Sequence, residues 1–377
     1  MKLFSRTPRR AARRHLAAAT LAGLAGSVLL STTGLATAPA AKAADPTCLT
    51  GTLKYTFASA EAKTTVTQPA RGLTWELWGA TGSGSVAKLS TGTTSSTGAY
   101  NACSASASLG SAYVRFVAGR TGAWKVVNKE SNGTTYTAQT ATQTNVSGSK
   151  ALGTTTVTDS RAGAFKIADV VSDFYAVRDS GTACWTRLQS SGCEQLTYVW
   201  TSTRTNGGYF DLDGTNFVIL AKDDAKSAHI IVHEAGHWFQ WALYSGWFPP
   251  SDCPSTHYVD KASAVSCAWT EGLANAVAGW VLGDKRYVRA DGSVVPYVPA
   301  GGGYYSGGDK TEGNVAAALI DLWRLDGPNG TWGVNLDLTI KYGSDHFKEY
   351  FLTNRPRASL PVDGAARDII ESHGIFY

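Results

Sequence analysis

Residues 229–241 read His-Ile-Ile-Val-His-Glu-Ala-Gly-His-Trp-Phe-Gln-Trp. Inside this run lies the H-E-x-x-H segment His233-Glu234-Ala235-Gly236-His237, whose spacing is a helical one. Residues four apart share a helix face, so both imidazoles can reach one metal ion while Glu234, the next position round, stands beside the metal's water. The flanks agree with a helix over about 225–244. Asp223 and Asp224 precede it as N-cap candidates, and apolar or aromatic residues continue through Trp238, Phe239, Trp241, Ala242, Leu243 and Tyr244. Upstream, 209–221 reads as a strand pair, or one strand with a turn at Gly214, leading directly into the helix.

The first 43 residues hold seven of the 34 Lys and Arg and no Asp or Glu, followed by an apolar Ala/Leu/Gly run and Ala41-Lys42-Ala43. That is the layout of a secretory signal with an A-x-A cleavage site, so residues 1–43 are expected to be a signal peptide and the protein to be secreted and extracellular. Without them 27 basic residues face 29 acidic ones. The basic character thus belongs to the signal, and nothing remaining points to nucleic acid or an anionic membrane as partner. No later run of 18 or more apolar residues suggests a membrane span.

All six cysteines follow residue 43, and an even number in an oxidising compartment favours disulfides. Neighbour pairing is the simplest arrangement: Cys48 with Cys103, Cys184 with Cys193, and Cys253 with Cys267. No C-x-x-C occurs to support a thiolate metal site.

Between 44 and 146 the chain is rich in Thr, Ser, Gly and Ala, with short β-branched or alternating runs at 52–57, 73–78, 112–117 and 124–127 separated by Gly turns. This predicts a small all-β sandwich, serving as a spacer, propeptide or substrate- or wall-binding module. A Ser/Gly/Lys stretch at 147–153 reads as a linker. Beyond it the period changes: helices are predicted at 162–177, 262–282, 312–325, 336–354 and 365–372, with a strand at 196–201. The expected architecture is an α+β zincin-like catalytic domain over 147–377, preceded by the sandwich.

A catalytic zinc takes three protein ligands and leaves a position for water. Downstream of the two histidines stand three candidates for the third. Glu271 lies on an apolar helix where an unpaired charge would be costly, and a ligand role gives that charge its partner. His257 lies in a Cys/Pro/Ser loop, and Glu312 opens a later helix. Glu271 leads among them. Asp211-Leu212-Asp213-Gly214 lacks the other positions of a calcium loop and reads as a turn.

His233-Glu234-x-x-His237 followed by Trp269-Thr270-Glu271-Gly272-Leu273-Ala274 resembles the gluzincin metallopeptidases, in which a downstream helix supplies Glu as third ligand. The likeness covers about 217–279. The 33 residues between His237 and Glu271 include Pro249, Pro250, Pro254 and two cysteines, and read as a disulfide-closed insertion between the ligand helices. The metzincin pattern is absent, because neither its Gly nor its third His follows His237. The resemblance implies Zn2+ on His233, His237 and Glu271, with Glu234 as general base acting on protein or peptide substrates. It also implies an outer partner for a ligand imidazole, for which Asn275 is placed, and an oxyanion donor, for which Tyr258, Tyr304, Tyr305 and His346 stand as candidates. Two other functions remain open at this level: a non-catalytic secreted binding or cell-wall-associated protein with a structural metal, and a zinc hydrolase of non-peptide substrates.

Overall fold

The computed structural model describes residues 45–178, 181–189, 192–254, 256–327 and 341–377; the signal expected at 1–43 lies outside them. Eleven strands come first. In the first sheet, β1 (Thr47–Ser59) is central. It pairs antiparallel with β2 (Thr64–Pro69) and β5 (Ala99–Ser104), and parallel with β11 (Ser149–Val157). The second sheet runs β10 (Gln143–Ser147), β6 (Ser108–Val117), β3 (Thr74–Ala80), β4 (Ala87–Thr93), with β9 (Thr137–Gln139) also paired to β6. Ala112, Val114 and Phe116 alternate inward along β6, the period-two pattern of a half-buried strand. The two sheets meet where the ring of Tyr100 on β5 packs edge-on against Phe116, 5.0 Å between centroids.

The expected linker at 147–153 is instead the start of β11. Its Ser, Lys and Thr side chains are largely exposed, as suits the edge of a sheet. Gly148 and Gly153, at φ of 62° and 70°, supply the turn and the irregularity opposite Thr50/Thr52 of β1. The polar composition that suggested a linker is the composition of a protected edge.

A third sheet carries the site. Its order is β13 (Tyr209–Phe210), β14 (Val218–Ile219), β12 (Leu196–Val199), β8 (Trp124–Val127), β7 (Gly119–Arg120), with β8, β12 and β14 parallel. All four residues of β12 are buried, as expected for a strand covered on both faces. Helix α1 (Ala162–Val177) takes the expected bounds, and Trp124 on β8 donates its indole N–H to Ala168 O on that helix (3.1 Å). Helices α2 (Ala228–Leu243), α3 (Val265–Leu282) and α4 (Glu312–Asp326) follow. The architecture is thus β-rich first and helical later. Short helical turns fill 347–357 and a last helix spans Ala365–Ser372; most of the helix expected at 336–354 falls outside the described residues or in these turns. The described residues make one compact unit.

The three neighbour-paired disulfides, Cys48–Cys103, Cys184–Cys193 and Cys253–Cys267, are all formed. Among the described residues no helix is long and apolar enough to cross a membrane.

Candidate metal centre

Helix α2 starts later than the acidic residues suggested. Ser227 is the N-cap, its Oγ accepting the N–H of Ile230 at 3.1 Å. Asp224 is occupied one turn earlier, where its carboxylate accepts Ala221 N–H (2.7 Å). Tyr198 on β12 donates its hydroxyl to Ile231 O of α2 (2.7 Å), tying the helix to the third sheet. On α2, residues 229–240 are all buried.

Two glycines let these helices pack closely, Gly236 where α2 meets α3 and Gly272 where α3 meets α4. A Cβ on Gly236 would lie 2.9 Å from Ala274 Cα, and one on Gly272 would lie 2.6 Å from Val315 Cγ1 on α4. Neither position admits a side chain without separating the helices. With α2 and α3 this close, Glu271 Oε2 stands 3.2 Å from His233 Nε2 and 3.4 Å from His237 Nε2, while the two Nε2 atoms are 3.2 Å apart. A Glu234 carboxylate oxygen lies within 4.8 Å of a ring nitrogen of each of these histidines. All of them line a cleft of about 360 Å³, together with Tyr209, Phe210, Leu212, Phe248, His257 and Tyr287.

The donor chemistry fits a metal. His233 Nδ1 is 2.9 Å from Asn275 Oδ1, an acceptor only, so the ring proton sits on Nδ1 and the Nε2 lone pair faces the shared point. A lone pair, a second imidazole nitrogen and a carboxylate oxygen converging at these distances call for a cation among them. Burial alone would push the Glu271 carboxyl up, but the imidazoles of His237 and His233 hold it well below the usual carboxylate range. Glu234 behaves oppositely. Burial pushes it up to about 7, with His233 opposing and the Glu271 charge adding to the rise.

The other two ligand candidates pair with each other. Glu312 Oε1 is 2.7 Å from His257 Nδ1, and Glu312 Oε2 accepts from Asn275 Nδ2 at 3.5 Å. A chain of polar contacts therefore runs from His233 through Asn275 and Glu312 to His257, whose Nε2 ends 3.9 Å from Glu271 Oε2. The hydrogen bond to Glu312 raises the His257 imidazole to about 9 against the opposing effect of burial. His257, Cys267 and Glu312 are also close enough together to hold an ion. The Cys267 sulfur, however, is bonded to Cys253 and offers no thiolate.

Of the tyrosines proposed from sequence, Tyr304 and Tyr305 stand elsewhere, while Tyr258 borders a smaller cavity beside the centre with His233, His257, Asn275, Tyr287 and Glu312. Tyr304 is exposed and packs on Phe376, Tyr305 donates its hydroxyl to Pro296 O, and Tyr258 is exposed with Lys261 over its ring. His346 caps the turn at 347–349, its Nδ1 accepting Glu349 N–H. Two tyrosines line the cleft, Tyr209 on β13 and Tyr287 on β15 (Arg286–Val288), and it is the ring of Tyr287 that lies 5.6 Å from that of His233 and edge-on to it. Burial pushes the Tyr287 phenol up. Nothing in its local sequence marks it. At the turn 211–214, Asp211 Oδ2 accepts from the N–H and hydroxyl of Thr215, both at 2.8 Å, and so makes the expected turn.

Residues 48–164 match the mycolysin middle domain, and residues 178–374, more than half of the chain, match the mycolysin C-terminal domain. The chain belongs to the mycolysin family. This makes it a peptidase-related protein, and its mycolysin C-terminal segment holds α2, α3 and α4 with every residue of the centre described above. No curated protein matches the chain. One solved structure with some similarity is a 9R-lipoxygenase from Cyanothece, 13% identical, with a TM-score of 0.19 over 39% of this chain and 25% of that one. The mycolysin-family chain thus spans a quarter of the lipoxygenase's length, and a likeness this slight carries no argument.

Proposed function

We propose that this mycolysin-family protein is a secreted zinc-dependent peptidase of gluzincin type, hydrolysing peptide bonds of extracellular proteins or peptides. His233, His237 and Glu271 would hold the zinc, within a zincin-like catalytic region that follows the two β-rich sheets and shares strands with the chain before it. Residues 1–43 would direct export. The observation that carries the reading is the meeting of His233 Nε2, His237 Nε2 and Glu271 Oε2 within 3.2–3.4 Å at the wall of a cleft.

Bound there, zinc would supply a Lewis acid and lower the pKa of its water. The residues divide the remaining work. Glu234, raised to about 7, is poised to take the proton of the attacking water and return it to the leaving amine. Asn275 fixes the His233 tautomer by accepting from Nδ1. His257, kept protonated by Glu312, offers Nε2–H to the oxygen on which charge develops, and Tyr287 lines the same cleft as a second donor.

A structural zinc is closed by four protein ligands. Three ligands, a neighbouring carboxylate and an open cleft favour catalysis over a binding protein with a structural metal. The deciding experiment is metal analysis with casein and peptide-library cleavage by the purified protein, alongside Glu234→Gln. Zinc near one per chain, cleavage by the wild type and loss of cleavage in the variant are expected. A wild type without zinc, or a variant that cleaves as fast, would sink the reading.

A further inference from the structure

The N-terminus of α2 is a junction, and one of its members comes from far away in the chain. Ser227, the N-cap, donates its hydroxyl to Val288 O on β15 (2.5 Å). Lys226 O accepts from Ala60 N–H (2.8 Å) and from the buried Lys166 Nζ of α1 (2.5 Å). Glu61, in the turn joining β1 to β2, then reaches the helix itself. Its Oε1 accepts the N–H of Ala228 at 2.6 Å and lies 3.6 Å from His229 Nδ1, while its Oε2 lies 3.8 Å from Lys166 Nζ. On the other side of the His229 ring, Nε2 is 3.7 Å from Asp284 Oδ2, just past the end of α3.

A carboxylate in this place does two things. It accepts one of the N–H groups that every helix start leaves without an intrahelical partner, and it puts negative charge at the positive end of the helix dipole. Burial would push the Glu61 carboxyl up, yet His229 and Lys166 hold it down at about 2, so it is charged at neutral pH. His229 is almost wholly buried and lies one turn before His233. Order in this first turn is therefore order in the backbone that presents the first imidazole.

We propose that Glu61 is a positioning residue for the metal-binding helix: the β-rich region supplies the group that completes the start of α2, and so takes part in metal binding rather than serving as a detachable spacer or propeptide. The proposal rests on the reading of His233, His237 and Glu271 as zinc ligands. Without Glu61 the first turn of α2 frays, the fraction of molecules with His233 in place falls, and apparent affinity falls by that fraction.

The test uses the full-length exported protein with Glu61→Ala and Glu61→Gln, the latter keeping the size and an acceptor for Ala228 N–H. Zinc affinity is measured by chelator competition well below the melting temperature, with Tm of the zinc-free protein and the kcat and KM of peptide cleavage. Glu61→Ala should weaken zinc about fivefold, less than the tenfold or more of a direct partner of a ligand. Glu61→Gln should recover part of that loss, and KM should not move. Wild-type zinc affinity in both variants, whatever happens to Tm, overturns the proposal. So does wild-type affinity in Glu61→Gln should Glu61→Ala fail to fold. A wild type that binds no zinc overturns the reading of the site and this proposal with it.

Discussion

His257 Nδ1 stands 2.7 Å from Glu312 Oε1, and the same ring turns its Nε2 to within 3.9 Å of Glu271 Oε2. One carboxylate therefore holds the imidazole protonated while its far nitrogen faces the centre. With its pKa raised to about 9, His257 should give peptide cleavage an alkaline limb near pH 9. His257→Gln should remove that limb and lower kcat by about 10²-fold or more, in the range of a lost oxyanion donor, with KM and zinc content little changed. A pH–rate profile of the two proteins checks this, and an alkaline limb that survives in the variant refutes it.

The same pair predicts a pH dependence of stability. The folded pKa of His257 lies above the ordinary histidine value. Its contribution is thus fully present below about pH 6.5 and is lost as pH rises through about 9. Zinc-free protein should lose Tm across that window, and His257→Gln should flatten the loss. Thermal melts at intervals of pH would show it.

Glu234, pushed up to about 7 by burial, sets the opposite limb. Cleavage requires its ionised form, so activity should fall on the acid side as Glu234 takes up a proton, with bound zinc moving that limb below the value of the metal-free site. Glu234→Gln should lower kcat by about 10²- to 10⁴-fold, the range of general acid–base catalysis, while zinc content stays near that of the wild type. Retained zinc with retained activity would remove Glu234 from the mechanism.

Glu271→Ala and Asn275→Ala separate a ligand from its supporter. Loss of Asn275, which accepts from His233 Nδ1 at 2.9 Å, should weaken zinc by about 10- to 100-fold, as for other partners of ligand imidazoles, and loss of Glu271 should exceed that. Chelator competition ranks them. Equal affinities would mean that Glu271 is not a ligand.

Gly236 predicts a steric effect inside the motif itself. A Cβ there would lie 2.9 Å from Ala274 Cα, a backbone atom that cannot swing aside. Gly236→Ala should therefore cost about 1–3 kcal/mol and, by moving Glu271 away from the histidines, lower zinc affinity as well. Chemical denaturation and zinc competition on the same sample read both effects.

How much of this is legible in the sequence depends on how local the cause is. The helix carrying His233 and His237 and the bounds of α1 follow from spacing, because period is a local property, and the simplest of the possible cysteine pairings, between neighbours, is the one formed. The meeting of Glu271 with the histidines is readable too, since a carboxylate on an apolar helix needs a partner. Three things are not. The start of α2 went to Ser227 rather than the aspartates because Asp224 is used by Ala221 N–H. Strand β11 looks like a linker because edge strands are polar. Tyr287 and Glu61 lie on a short strand and in a turn, and only tertiary contacts bring them to the centre and to the start of α2.

The third sheet has a consequence for inheritance. Strands β7 and β8 lie within the segment matching the mycolysin middle domain, and β12, β13 and β14 within the segment matching the C-terminal domain. Leu196–Val199 pairs residue for residue with Trp124–Val127. The interval between the two segments, 165–177, is nearly all of α1, so a gene fusion or deletion cut there would break α1 and leave β12 with an open edge. The two cannot be shuffled as independent cassettes; they are expected to travel together, and to diverge together, as one evolutionary unit.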